Sequence, residues 1–382
     1  MSMAPFTEQT ATRPSTPAAA PDAAAPPRAA GRAGAKVRVL AFPKDRFRAT
    51  QPFHALLAES LEAEGLEVDE YSPKRCLSGR YDVVHLHHPE KFVSQRLTLR
   101  DAVRFAVFFL TLWVQRLRGA RVVWTAHNEG PHEPGHPLLE KLYWRLFLPM
   151  VDGVIHLSQS ARAIVEARWP RLKARPAFVI PHGDFRGAYA AGLTREEARR
   201  RLGYGEGERV LAFVGNVRAY KNVPELARAF AALPDPDLRL LIAGRVHTDA
   251  LKREIEAAAD PRIRLIDAFV DEADMQLYLG AADLVVLPFR RILNSGSAIL
   301  ALSFDRPVLV PDLGSLRELQ QAVGGDWVHI YRGEMGPEVL AEALGGFLAH
   351  PRGPTAPLEA LSWPAIGRST AEAYRRVLGR GK

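Results

Sequence analysis

A chain of 382 residues is too long for one ordinary domain and long enough for two, each with its own core. Hydrophobic residues at 47% and charged residues at 25% fit a soluble globular protein, and the lone Cys76 excludes an internal disulfide framework or a cysteine metal cluster. A net charge of +8 suits nucleic acid, an anionic membrane or phosphorylated ligands, but no nucleic-acid module accompanies the scattered arginines, so no nucleic-acid partner is expected.

Residues 1–35 are rich in Ala, Pro, Thr and Ser, hold almost no large apolar side chains, and are expected to be disordered. They lack the apolar centre of a secretory signal, and no window reaches the ~18 apolar residues of a membrane span. A cytoplasmic location follows as the expectation. From Lys36 strands alternate with helices: strand Val37–Ala41, helix Phe53–Glu64, strand Val83–Leu86, helix Leu99–Leu117, strand Arg121–Thr125, helix Leu138–Phe147, strand Gly153–Leu157, helix Ser160–Ala167 and strand Ala177–Ile180. After a linker over 186–207 that carries a short helix, Arg195–Leu202, the pattern restarts. It runs through strand Arg209–Val214, helix Val223–Ala232, strand Leu238–Ala243, helix Thr248–Ala259, strand Ile263–Leu265, helix Glu272–Gly280, strand Leu284–Pro288, helix Gly296–Ser303 and strand Val308–Val310. The sequence therefore predicts an α/β protein of two doubly wound, parallel-sheet, Rossmann-like domains (36–185 and 208–358) facing a cleft, with a last helix within 360–380 packing back on the first.

The helix Leu99–Leu117 carries Phe105, Phe108, Phe109, Leu110, Leu112 and Trp113, with Arg96, Arg100, Arg104, Arg116 and Arg118 around its ends. It reads either as a crossover helix buried on the sheet or as an interfacial helix resting on anionic lipid.

Chemistry gathers at strand ends. In the second domain Asn294-Ser295-Gly296-Ser297 opens an apolar helix, so its free N–H groups, the serine hydroxyls and the nearby Arg290 and Arg291 suit a diphosphate as well as an ordinary N-cap. The loop VGNVRAYKN offers Gly215, Asn216, Arg218 and Lys221, and LIAGR ends in Gly244 and Arg245. In the first domain His85, His87 and His88 follow one strand, and His127 follows another, leading to Glu129 and Glu133. A histidine there could take a proton from a sugar hydroxyl, with the two glutamates as alternative bases. No His and carboxylate spacing makes a convincing zinc site.

The segments FVGNVRAYKNVPELARAF, LRLLIAGR, LYLGAADLVVLPF and RPVLVPDLGSLREL resemble GT-B glycosyltransferases of the family 4 type, over nearly all of 37–380. TQPFHALLAESLEAEGLEV, DVVHLHHPE and VVWTAHNEGPHE are more narrowly similar to bacterial transferases of exopolysaccharide assembly, including β-mannosyltransferases acting on lipid-linked oligosaccharides. The resemblance implies a nucleotide-sugar donor on the second domain, an acceptor on the first and no cofactor or metal, and it matches Lys221 to the lysine on the donor diphosphate. Asn216 stands where many relatives have arginine, leaving Arg218 or Arg245 for that charge. The paired glutamates that the family places around the donor sugar and ribose correspond here to Ile292 and Leu300, which speaks against its retaining mechanism.

The expectation is an inverting, metal-independent transferase. His127, with Glu129 and Glu133 behind it, deprotonates the acceptor, and His85 and His87 lie on the acceptor side. Gly215, Asn216, Arg218, Lys221, Gly244, Arg245 and Asn294–Ser297 hold the donor, GDP-mannose or a UDP-sugar. The acceptor is a lipid-linked saccharide at the inner face of the cytoplasmic membrane, where the protein is expected to be peripheral. A sugar-nucleotide epimerase and a non-catalytic sugar- or lipid-binding relative are the rival readings.

Overall fold

The computed structural model describes residues 36–48, 51–92, 98–127, 136–294, 296–349 and 352–380. The first domain runs β1 (Arg38–Phe42), α1 (Phe53–Ala63), β2 (Glu67–Glu70), α2 (Pro73–Ser78), β3 (Val83–Leu86), α3 (Leu99–Leu117), β4 (Arg121–Ala126), α4 (Pro137–Phe147), β5 (Gly153–His156), α5 (Gln159–Arg168) and β6 (Ala177–Val179). The helix α6 (Arg195–Leu202) leads to β7 (Arg209–Val214), α7 (Val223–Ala231), β8 (Leu238–Ala243), α8 (Asp249–Glu256), β9 (Ile263–Ile266) and α9 (Met275–Ala281). Then come β10 (Leu284–Val286), α10 (Gly296–Ser303), β11 (Val308–Pro311), α11 (Leu316–Val323), β12 (Val328–Tyr331), α12 (Pro337–Ala349) and α13 (Trp363–Val377).

Two six-stranded sheets result, ordered β2-β1-β3-β4-β5-β6 and β12-β11-β10-β7-β8-β9, and every strand pairing is parallel. Inner strands such as β7 and β8 are nearly continuous apolar runs because helices cover both sheet faces. Side-chain oxygens of Ser72, Thr98, Ser158, Thr194 and Thr248 cap α2, α3, α5, α6 and α8, each accepting a first-turn N–H. Two strands absent from the sequence reading, β2 (EVDE) and β12 (VHIY), are both sheet edges, where one open side removes the need for an apolar run. The helices α2, α11 and α12 are likewise additions, and α9 starts at Met275 rather than Glu272, the residues before it forming a turn.

The helix α13 lies on α1 of the first domain. Its Gly367 sits so close to α1 that a Cβ there would meet the Ser60 carbonyl oxygen at 2.8 Å. Ile366, Ala371, Ala373 and Tyr374 share one buried cluster with Val39, Phe53, Leu57 and Val123. The Tyr374 hydroxyl bonds His85 Nδ1 at 2.6 Å, and His85 Nε2 meets the Thr125 hydroxyl at 2.7 Å, so one buried chain ties α13 to β3 and β4. Removing that hydroxyl leaves a buried imidazole nitrogen without a partner. Tyr374→Phe is expected to cost about 1–3 kcal/mol, read as a lower urea midpoint at unchanged slope.

Candidate active site

Each sheet reverses its strand order once, between β1 and β3 in the first and between β7 and β10 in the second, and such switch points leave a crevice at the strands' carboxyl ends. In the second domain the crevice holds Lys221. Gly215 ends β7 at φ 127°, and a Cβ there would lie 3.4 Å from Lys221 Nζ. Gly244 ends β8 at φ 150°, where a Cβ would strike the Gly215 carbonyl oxygen at 2.1 Å, so the two strand ends meet backbone to backbone. Lys221 Nζ lies 5.6 Å from the Phe213 ring centre and 5.9 Å from that of Phe289. Burial, and then the Arg218 charge, push its ammonium down to about 8.

Most basic side chains here that touch a carboxylate lie elsewhere, as in the Arg195 and Arg199 pairs with Asp283. Among the described residues Arg218, Lys221, Arg290 and Arg291 have no ion-pair partner. A half-buried, unpaired lysine beside an arginine is an anion site in electrostatic terms. Asn216 is exposed, and so is Arg245. Next to this crevice a cavity of about 430 Å³ opens between the ends of β10, β11 and β12, lined by Asn222, Glu225, Arg290, Asp312, Tyr331 and Met335 among others. Of its lining residues only Arg290 carries a site role in the sequence reading, as charge beside the α10 start.

In the first domain the crevice is packed with imidazoles. His87 Nδ1 lies 3.0 Å from His127 Nε2, and His88 stacks on His127 with centroids 4.8 Å apart. Burial, followed by the fields of the neighbouring histidines, drives the His87 and His127 pKa values well below the ordinary range. His85 does not line the crevice as expected of an acceptor contact: it is buried, with one ring nitrogen on Tyr374 and the other on Thr125. Two histidines that the sequence reading passed over belong to the cluster. His54, beside Phe53 at the start of α1, is 4% exposed, and His182 stacks on Phe53 at 4.3 Å. The position of Phe53-His54 at the first helix start after β1 was the signal available.

The α10 turn closes on this cluster. Asn294 Nδ2 donates to the His127 carbonyl oxygen at 3.2 Å, and a Cβ at Gly296 would lie 3.7 Å from His182 Nε2. Gly296 and Ser297 are half-buried at the helix start, with Leu293 buried in the first-domain core. Ser295, Glu129 and Glu133 lie outside the described residues. Ile292 and Leu300 pack against the second-domain core, so they present hydrocarbon where the resembling family has carboxylates.

A second surface is apolar on its outer side although α3 and α4 also bury Phe108, Leu112, Tyr143, Trp144 and Phe147. The helix α3 buries Thr111 and Gln115, which bond Tyr71 and the backbone of Cys76, Gly79 and Tyr81, and it exposes Leu99, Val103, Leu110, Trp113 and Leu117. The helix α4 packs beside it through Tyr143 on Phe108 and Phe109, and exposes Leu138, Leu142 and Leu146. The crossover expectation for α3 holds for its buried face, Phe108, Thr111, Leu112 and Gln115, while its other face is apolar and open. No helix among the described residues is long and apolar enough to cross a membrane.

Family models match both halves of the chain: "Glycosyltransferase Family 4" over residues 21–183 and "Glycosyl transferases group 1" over residues 208–350. A GDP-mannose:glycolipid 4-beta-D-mannosyltransferase of Xanthomonas campestris is 33% identical over 341 residues, covering 87% of this chain and 90% of that protein. The chain belongs to the family 4 glycosyltransferases. Solved glycosyltransferases share the fold of this transferase. A sucrose-phosphate synthase from Thermosynechococcus elongatus aligns at TM-score 0.57 and 18% identity over 90% of this chain and 95% of that one. Anabaena HepE, solved with UDP and glucose, aligns at TM-score 0.58 and 15% identity over 90% and 95%.

Lys221 gives the transferase a pH signature. Its pKa of about 8 lies below the ordinary 10.5, so between those values the folded chain binds fewer protons than the unfolded one, and stability rises with pH through that window. An anion held by the charged ammonium would bind with the opposite pH dependence. Calorimetric titration of a nucleotide-sugar is expected to show affinity falling above about pH 8, and Lys221→Ala is expected to lose ~30-fold, the equivalent of one charge-assisted hydrogen bond, together with that pH dependence.

Proposed function

We propose that this transferase moves mannose from GDP-mannose, with a UDP-sugar as the alternative donor, onto a lipid-linked saccharide, with inversion, in the synthesis of an exopolysaccharide or other cell-surface glycan. The observation that carries the lipid-linked acceptor is the apolar outer face shared by α3 and α4. Burying polar Thr111 and Gln115 while exposing Leu110, Trp113 and Leu117 leaves an apolar face suited to the headgroup boundary of a bilayer. Arg100, Arg104 and Lys141 on the same helices add attraction to anionic lipid. This face belongs to the domain that holds the histidine crevice, so a saccharide on a lipid anchor meets the base from the membrane side. The location proposed is therefore the inner face of the cytoplasmic membrane. The donor rests on the likeness to the Xanthomonas campestris enzyme, whose name gives both GDP-mannose and a glycolipid.

In the mechanism, His127 accepts the proton of the acceptor hydroxyl, with His87 hydrogen-bonded to its ring and Glu129 and Glu133 following in the chain. The acceptor oxygen attacks the anomeric carbon, and the bond from that carbon to the diphosphate oxygen breaks with its electron pair leaving on the diphosphate. Lys221 and Arg218, together with the N–H groups at the start of α10, stabilise that charge, so the diphosphate needs no metal of its own. A β-mannoside drawn from an α-linked donor requires this inversion, and hydrocarbon at Ile292 and Leu300 fits a site without the retaining family's carboxylates.

Two measurements test the proposal. Incubated with a polyprenyl-linked oligosaccharide and a panel of nucleotide sugars, the protein is expected to transfer mannose and give a β-anomer by NMR; an α-anomer, or transfer from UDP-sugars alone, would overturn the stereochemistry or the donor. In co-sedimentation with phosphatidylglycerol vesicles, Leu110→Asp combined with Trp113→Asp is expected to lower binding tenfold or more. Equal sedimentation of variant and parent would remove the membrane face.

A further inference from the structure

Three imidazoles, one from the start of α1 and one each from the segments after β3 and β4, converge in the first-domain crevice. One ring nitrogen each from His54, His88 and His127 lies within 4.8 Å of the other two. We infer that these three residues form a binding site for a divalent transition metal of the zinc type, on the acceptor side of the cleft.

The donor set and its surroundings carry this. Three imidazoles with an open fourth position suit zinc, whereas magnesium and calcium take oxygen ligands. At zinc–nitrogen distances of ~2.1 Å, tetrahedral ligands sit ~3.4 Å apart, so closing the set takes side-chain rotations on the order of 1 Å. His54 is 4% exposed and neither of its ring nitrogens has a hydrogen-bond partner in the protein, so both nitrogens are open to a ligand. His88 directs Nδ1 to the Glu90 carboxylate at 3.2 Å, the contact that fixes a ligating histidine and leaves Nε2 for the metal. His127 is held in the same way by His87 at 3.0 Å and keeps one further ring nitrogen.

The site has a consequence for transfer, which rests on His127 being the base. A metal bound there takes a lone pair from the cluster that receives the acceptor proton, so zinc inhibits by competing with the proton.

The test uses the full chain after chelator treatment. Zinc chloride titrated in a calorimeter is expected to bind at one equivalent with a Kd in the micromolar range or below, unaffected by millimolar magnesium. His54→Gln and His88→Gln are expected each to weaken it at least tenfold. Cobalt substitution of the unaltered protein is expected to give the intense visible bands of a four-coordinate ion, a reading that does not depend on how well a variant folds. Zinc binding equal in parent and in His54→Gln/His88→Gln, or the weak spectrum of six-coordinate cobalt, would overturn the site. If zinc binds at these residues while transfer proceeds unchanged, the metal site stands and His127 is not the base.

Discussion

The two sheets work as one site because a carboxylate from the second domain caps a helix of the first. Glu318 in α11 accepts the backbone N–H groups of Gln159 and Ser160, both at 2.8 Å, and the Ser160 hydroxyl as well, so it satisfies donors that α5 leaves free at its start. Burial works against the charged carboxylate, but the Ser160 hydroxyl and the two backbone donors outweigh it and hold its pKa below the usual range. Leu293 adds an apolar anchor, inserted from the second domain into the first-domain core, and Asn294 reaches the His127 carbonyl. These three contacts fix the distance between the imidazole crevice and the start of α10. A diphosphate and an acceptor hydroxyl have to meet across that distance.

Charge is distributed to match. Carboxylates pair with arginines through much of the structure, as Asp283 does with Arg195 and Arg199, while the crevice at the end of β7 keeps its cations unpaired. The first-domain crevice has the opposite character, with burial disfavouring the charged form of His54, His87 and His127. In the proposed mechanism one side of the cleft receives negative charge and the other a proton, the division that displacement at an anomeric carbon requires.

Much of the fold was legible because inner strands of a parallel sheet must be apolar on both faces: VVHL, RVVWTA and RVLAFV announce themselves. The edge strands were not, since EVDE and VHIY need hydrophobic residues on fewer sides. The helix α12 carries Gly345 and Gly346 in its interior, which weakens its helical signal. At the site, Lys221, Gly215 and Gly244 were readable from their place after strands, because strand ends face the crevice whatever the rest of the fold does. His54 was hidden because its role depends on residues brought together from separate loops. His85 misled for a similar reason: its place near the end of β3 is shared with His87, but Tyr374, far along the chain, claims it.

The position of α13 bears on how the protein is made. Ile366, Ala371 and Tyr374 complete a core whose other members, Val39 to Val123, belong to the first domain. A ribosome therefore releases the second domain's strands and helices before the last layer of the first domain exists. Domains commonly fold as units in the order of synthesis. Here that order cannot be followed, and the face of the first sheet that α1 covers stays incomplete until the residues of α13 have been translated.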